Sequence, residues 1–120
     1  DISHAGANVG KQLKNVKINT YHMSLFAYLL EQMRSIPDGN GTLLDHVMLL
    51  YGAGMGDGSI HSPHALPVVL AGGGCGQLSG GRHLQCATDT PMMNLGLSLL
   101  DKVGVELPRL GDSTGRLTGL

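Results

Sequence analysis

Tryptophan is absent from this 120-residue sequence, and only Tyr21, Phe26, Tyr28 and Tyr51 are aromatic. A chain of this size has a high surface-to-volume ratio and needs bulky side chains to close a core of its own. Their scarcity predicts part of a larger fold rather than a finished one. Charge is also scarce. Charged residues make up 14%, against about 25% in ordinary soluble domains, which excludes a charge-rich disordered tail. A net charge of −1 and a pI near 6.6 exclude electrostatic capture of nucleic acid or an anionic membrane. Cys75 and Cys86 are too few for a disulfide framework and match no C-x-x-C motif, so they read as buried or free thiols, or as one bridge in an exported protein. No apolar run approaches the roughly 20 residues that a transmembrane helix needs. No basic segment followed by an apolar one marks a signal peptide after Asp1.

Glycine, by contrast, is abundant. Of 19 glycines, 12 fall between Gly39 and Gly81, and no Lys or Arg occurs from Ser35 through Gly81. Such loops let backbone approach a ligand closely but bring no cation to a phosphate. The Gly-Lys-Ser/Thr of a P-loop is missing, and Gly52-x-Gly54 lacks the third glycine and following helix of a dinucleotide fingerprint.

Residues Asp1 to Thr20 read as a loop leading into a helix, with Lys11, Lys14 and Lys17 at helical spacing. From Asn19 or Thr20 the apolar positions Tyr21, Leu25, Phe26, Leu29, Leu30, Met33 and Ile36 recur at steps that predict an amphipathic helix. Pro37-Asp38-Gly39-Asn40-Gly41 ends it. The continuous run His46 to Tyr51 predicts a strand covered on both faces, as in a parallel sheet. Leu66 to Ala71 predicts a second buried strand, and Arg82 to Gln85 a short further one. Thr90-Pro91 opens a final helix carrying Met92, Leu95, Leu99, Leu100 and Val103 and stopping at Gly104. Helix, strand, glycine-rich loop, strand, helix is an α/β order, and functional residues in such sheets gather in loops beyond strand ends.

That place is occupied by Asp57-x-x-x-His61-x-x-His64. One carboxylate and two imidazoles within eight residues form a candidate ligand set for zinc, manganese or iron. The alternative is that both histidines are exposed loop residues and Asp57 serves a turn. His4, His22, His46 and His83 are each ambiguous on sequence alone. Gly111-Asp112-Ser113-Thr114-Gly115 superficially matches the nucleophile segment of chymotrypsin-like proteases, but without a His partner it reads as a turn.

Several segments together resemble one family: Phe26-Ala27-Tyr28-Leu29-Leu30, Gly41-Thr42-Leu43-Leu44-Asp45, Met55-Gly56-Asp57-Gly58, His61, Leu66-Pro67-Val68-Val69-Leu70-Ala71-Gly72-Gly73, Gly81-Arg82-His83 and Gly111 to Gly115. In this order they resemble the C-terminal part of domain of unknown function 1552, a family of exported bacterial proteins. That family is distantly similar to the alkaline phosphatase and sulfatase superfamily of metal-dependent hydrolases. The resemblance implies that residues 1–120 are the C-terminal portion of a single α/β domain, a fragment of an alkaline-phosphatase-like sheet with flanking helices. It implies export to the periplasm or cell surface, a small phosphate or sulfate ester as substrate, and the remainder of the domain as partner. His61 followed by Leu66-Pro67-Val68-Val69 matches a metal-ligand motif of the superfamily. Gly52-Ala53-Gly54-Met55 stands where that superfamily carries an Asp-His ligand pair, leaving Asp57 as the substitute. A catalytically inactive binding or structural protein of the same fold is the alternative.

Overall fold

Asn8 starts the first helix. Its side-chain oxygen accepts the backbone N–H of Lys11 at 3.0 Å, satisfying one of the donors that a helix start leaves unpaired. In the computed structural model, which describes residues 2–120, the helix that follows, α1, runs Val9–Ser35. It begins about three turns before the apolar periodicity does, so residues 9–19 are helical rather than loop. Asp1 lies outside the described residues.

Pro37 and the turn behind it end α1 and make a small antiparallel hairpin, β1 (Pro37–Asp38) with β2 (Gly41–Thr42). One helical turn follows, α2 (Leu43–His46). The Asp45 carboxylate reaches back to accept both the Thr42 N–H and the Thr42 hydroxyl at 2.7 Å. That local bonding draws His46 into a helical turn, so the strand predicted from His46 begins only at Leu49.

β3 (Leu49–Gly52) pairs with β4 (Val68–Ala71) in antiparallel register, Leu49 opposite Ala71 and Gly52 opposite Val68. The parallel arrangement expected from the continuous apolar runs is therefore corrected. A parallel pair needs a crossover of a dozen or more residues, usually helical. Residues 53–67 instead fold into turns that bring the chain straight back. The architecture is mixed helix and strand, with two two-stranded sheets among the described residues. The strand expected over Arg82 to Gln85 is irregular chain.

The last helix, α3 (Met92–Lys102), starts one residue later than expected, with Pro91 as its cap residue. It closes where the sequence indicates. Gly104 takes φ +77° while its N–H bonds the Asp101 carbonyl, and Val105 N–H bonds the Leu100 carbonyl. The buried positions of α3 are Asn94, Leu95, Leu97 and Ser98, while Val103 stays exposed. Leu97 is 1% exposed, and with Leu95 and Ala5 it makes up the buried apolar residues among those described. Asn94 ties the C-terminal segment down. Its Oδ1 accepts the N–H groups of Thr114 and Gly115, and its backbone carbonyl accepts that of Leu117. No helix among the described residues is long and apolar enough to cross a membrane.

Candidate functional site

The loop between β3 and β4 is held in shape by its own backbone. Gly56 N–H bonds the Ser62 carbonyl and Ser62 N–H bonds the Asp57 carbonyl, each at 2.9 Å. Asp57 Oδ1 accepts Ser59 N–H at 2.7 Å, a turn that aspartate makes readily. Gly56 is required by close approach, since a Cβ there would sit 2.0 Å from the His64 carbonyl oxygen. His61 and Ala65 adopt φ of +54° and +52°, the left-handed region that costs non-glycine residues about 1–2 kcal/mol. The loop thus stores backbone strain at the histidine singled out by sequence.

The strain aims His61 at an unexpected partner. Its Nε2 lies 2.8 Å from Nε2 of His4, with the ring centroids 4.8 Å apart and the planes inclined by 67°. Ser3 Oγ stands 3.2 Å from Nδ1 of His4. Ser59 completes the junction, its hydroxyl oxygen accepting Gly6 N–H at 3.0 Å and donating to the Ser3 carbonyl at 3.5 Å. The segment before α1 is therefore strapped across the loop by residues more than fifty positions away.

The other two sequence-predicted ligands are engaged elsewhere. His64 Nδ1 lies 2.9 Å from Asp89 Oδ1, both side chains about two-thirds exposed. Asp57 serves its turn. The loop carries Asp57, His61 and His64 together but turns each toward a different neighbour. Among the described residues no group of three or more His, Cys, Asp and Glu side chains gathers closely enough to hold a metal. His4 and Asp89 are the partners that sequence reasoning missed. Neither stands at a motif spacing from the residue it meets, so only the folded chain brings them in.

A second concave region, a cleft of about 500 Å³, is lined by Asn40, Gly41, Asp45, His46, Cys75 and Gly76. His46 Nδ1 bonds Asp38 Oδ2 at 2.8 Å, and the Cys75 thiol points to the His46 carbonyl at 3.6 Å. The Thr42 hydroxyl and then its backbone N–H hold the Asp45 carboxyl below the usual carboxylate range. The thiol contact, with the Gly73 N–H bonded to the Leu44 carbonyl at 2.9 Å, braces α2 against the glycine turn that follows β4.

Chemically, the His4–His61 junction is the most informative feature of the loop. In the hydrogen-bonded state one Nε2 donates to the other. Two imidazole nitrogens bound to one tetrahedral zinc at about 2.0–2.1 Å stand roughly 3.3 Å apart. An opening of about half an ångström from the observed separation reaches that geometry. Comparison of the chain with protein-family models, curated proteins and solved structures finds no match.

Proposed function

We propose that this chain is the C-terminal portion of an exported, metal-dependent hydrolase of phosphate or sulfate esters, related to the alkaline phosphatase and sulfatase superfamily. In this reading His61 and His4 are ligands of a divalent cation. The observation that carries it is the convergence of the two Nε2 atoms at 2.8 Å across 57 positions of sequence. Neutral imidazole suits zinc and iron, with manganese a further candidate. Ser3, beside Nδ1 of His4, orients that ring from behind, as outer partners of ligating histidines do. Among the described residues, Asp57 and His64 each bond through one of their two side-chain polar atoms, and they stand as further ligands reached by a turn of the loop. A cation held here supplies charge stabilisation for the transferring group and activation of an attacking oxygen. The nucleophile and remaining ligands come from the rest of the protein.

The test is elemental analysis of the purified full-length protein together with an ester-hydrolysis panel. Stoichiometric zinc, manganese or iron, lost in both His61→Ala and His4→Ala, with chelator-sensitive hydrolysis, is the expected result. Absence of bound metal, with His61→Ala unchanged in every assay, overturns it.

One observation favours a second reading, a cell-surface binding or structural protein that has lost the chemistry. Gly52 to Met55 stand where the superfamily it resembles carries an Asp-His pair, and one oxygen of Asp57, the residue left as substitute, is held by the Ser59 N–H. Metal binding without hydrolysis of any ester in the panel is the result that selects it.

A further inference from the structure

β4 runs into Gly72-Gly73-Gly74-Cys75-Gly76, a stretch whose only side chain is a thiol. Cys75 takes φ +56° and ψ +39°, the left-handed conformation that residues other than glycine seldom adopt. Contacts from beneath hold it there. Gly73 N–H bonds the Leu44 carbonyl at 2.9 Å and Gly74 N–H bonds the Val47 carbonyl at 3.0 Å. A Cβ on Gly73 would lie 2.5 Å from the Asp45 carbonyl oxygen, so only glycine lets the turn sit this close to α2. The turn is thus locked onto the helix that carries His46, and the Cys75 thiol rests 3.6 Å from the His46 carbonyl. Its outer side is open, and the thiol is free and exposed.

His46 and Cys75 line the same cleft of about 500 Å³, a volume that suits a small molecule. The Asp38 carboxylate meets Nδ1 of His46 at 2.8 Å. In the neutral ring that bond keeps the proton on Nδ1 and leaves the Nε2 lone pair to accept another. Nucleophile, base and a carboxylate that orients the base are the three parts from which thiol catalysis is built. The lining also selects the substrate. Asp45 lies in the cleft and Asp38 behind His46, while no Lys or Arg lines it. A phosphate, sulfate or carboxylate group finds no counter-charge there.

We propose that this cleft is a second reactive site, in which Cys75 takes an acyl group from a small neutral or cationic ester or thioester. His46 removes the thiol proton, and the sulfur forms a bond to the acyl carbon. The bond from that carbon to the departing oxygen or sulfur breaks, and His46 returns the proton to the alkoxide or thiolate released. Acyl-Cys75 remains, ready for transfer to water or to another nucleophile. The S–H is turned toward the His46 backbone, so the reaction begins with its swing to the ring of the same residue, a tightening of the kind that substrate binding brings. Asp38 is a positioning residue that acts through His46. The site shares no residue with the His4–His61 junction and uses no metal, so it stands apart from the hydrolase reading.

The test is acetylation of the full-length protein by para-nitrophenyl acetate, stopped at intervals with denaturant and iodoacetamide, which caps each thiol that remains. Trypsin places Cys75 in the peptide 35–82 and Cys86 in 83–102, so Cys86, also free and exposed, is the internal reference. Cys75 is expected to lose its thiol about a hundredfold faster than Cys86, the scale of general-base assistance. A chelator is expected to leave that rate unchanged. His46→Gln and Asp38→Asn are expected to bring Cys75 down to the rate of Cys86, while Asp38→Glu, which keeps a carboxylate, retains most of the advantage. Equal rates at the two thiols of the unsubstituted protein overturn the proposal, and that comparison needs no variant to fold. So does a fast rate at Cys75 that survives both His46→Gln and Asp38→Asn, which assigns it to exposure alone.

Discussion

Phe26 stacks on Tyr51, with ring centroids 4.9 Å apart and planes inclined by 25°. The pair joins the long helix α1 to strand β3 and engages half of the chain's four aromatic side chains. Offset stacking of this kind contributes about 0.5–1.5 kcal/mol beyond area burial. Phe26→Ala is expected to destabilise the protein by about 2 kcal/mol, because the ring is only partly covered. A double-mutant cycle with Tyr51→Ala in urea unfolding is expected to return a coupling of about 1 kcal/mol. Zero coupling means the two rings are merely adjacent.

Gly72 and Gly54 make a matched pair of substitutions. Gly72 sits at φ +98°, and a Cβ there would come within 2.2 Å of the Val47 carbonyl oxygen. Gly54 has nothing within 4 Å of the same position. Gly72→Ala is therefore expected to cost about 2 kcal/mol or more, and Gly54→Ala to stay within about 0.5 kcal/mol of the parent. Urea midpoints measured side by side check this, and equal midpoints refute the backbone packing behind β4.

Asn94 is 8% exposed and bonds Thr114 and Gly115 through its side chain. Asn94→Ala leaves those N–H groups without their acceptor, an expected loss of about 2–3 kcal/mol. The specific readout is faster hydrogen exchange at the Thr114 amide than at amides of α3. Uniform acceleration along the chain indicates global destabilisation instead.

Acid should loosen both the C-terminal segment and the turn of α2. The hydrogen bond from Arg116 holds the Asp101 carboxyl below its ordinary range, and Asp45 is lowered by the Thr42 hydroxyl and N–H. A carboxyl whose folded value is depressed contributes stability that is present above its unfolded value, about 3.9 for Asp. That contribution is lost as the pH falls through the folded value. The melting temperature is expected to hold from pH 7 to about 5 and fall below about 4. Asp101→Asn should lower the plateau and flatten part of the fall. An unchanged acid limb would remove Asp101 from the account.

The helix from Tyr21 onward and its stop at Pro37 were legible because apolar spacing and turn chemistry are local signals. The first three turns of α1 were not. Between Val9 and Asn19 the apolar residues are interrupted by Lys11, Lys14 and Lys17, and the start rests on one side-chain bond from Asn8. Both strands were visible as apolar runs, but such runs carry no direction, and the turns of residues 53–67 decide it. Thr42-x-x-Asp45, a local capping pattern, was the available sign that His46 closes a helical turn rather than opening a strand. At the site, the loop was legible and its contacts were not. His61 meets His4, and His64 meets Asp89, through folding that no spacing rule encodes.

The strap across the loop bears on the order of folding. The contacts of His4 with His61 and of Gly6 with Ser59 close a loop of more than fifty residues, whereas the β1–β2 hairpin and the three α-helices form from near neighbours. Closing a long loop costs more chain entropy than closing a short one, and non-local contacts form slowly. The histidine pair is thus among the last contacts made and the first lost. Local opening of that pair, with helices and strands intact, is expected to expose the loop more often than unfolding of the whole does.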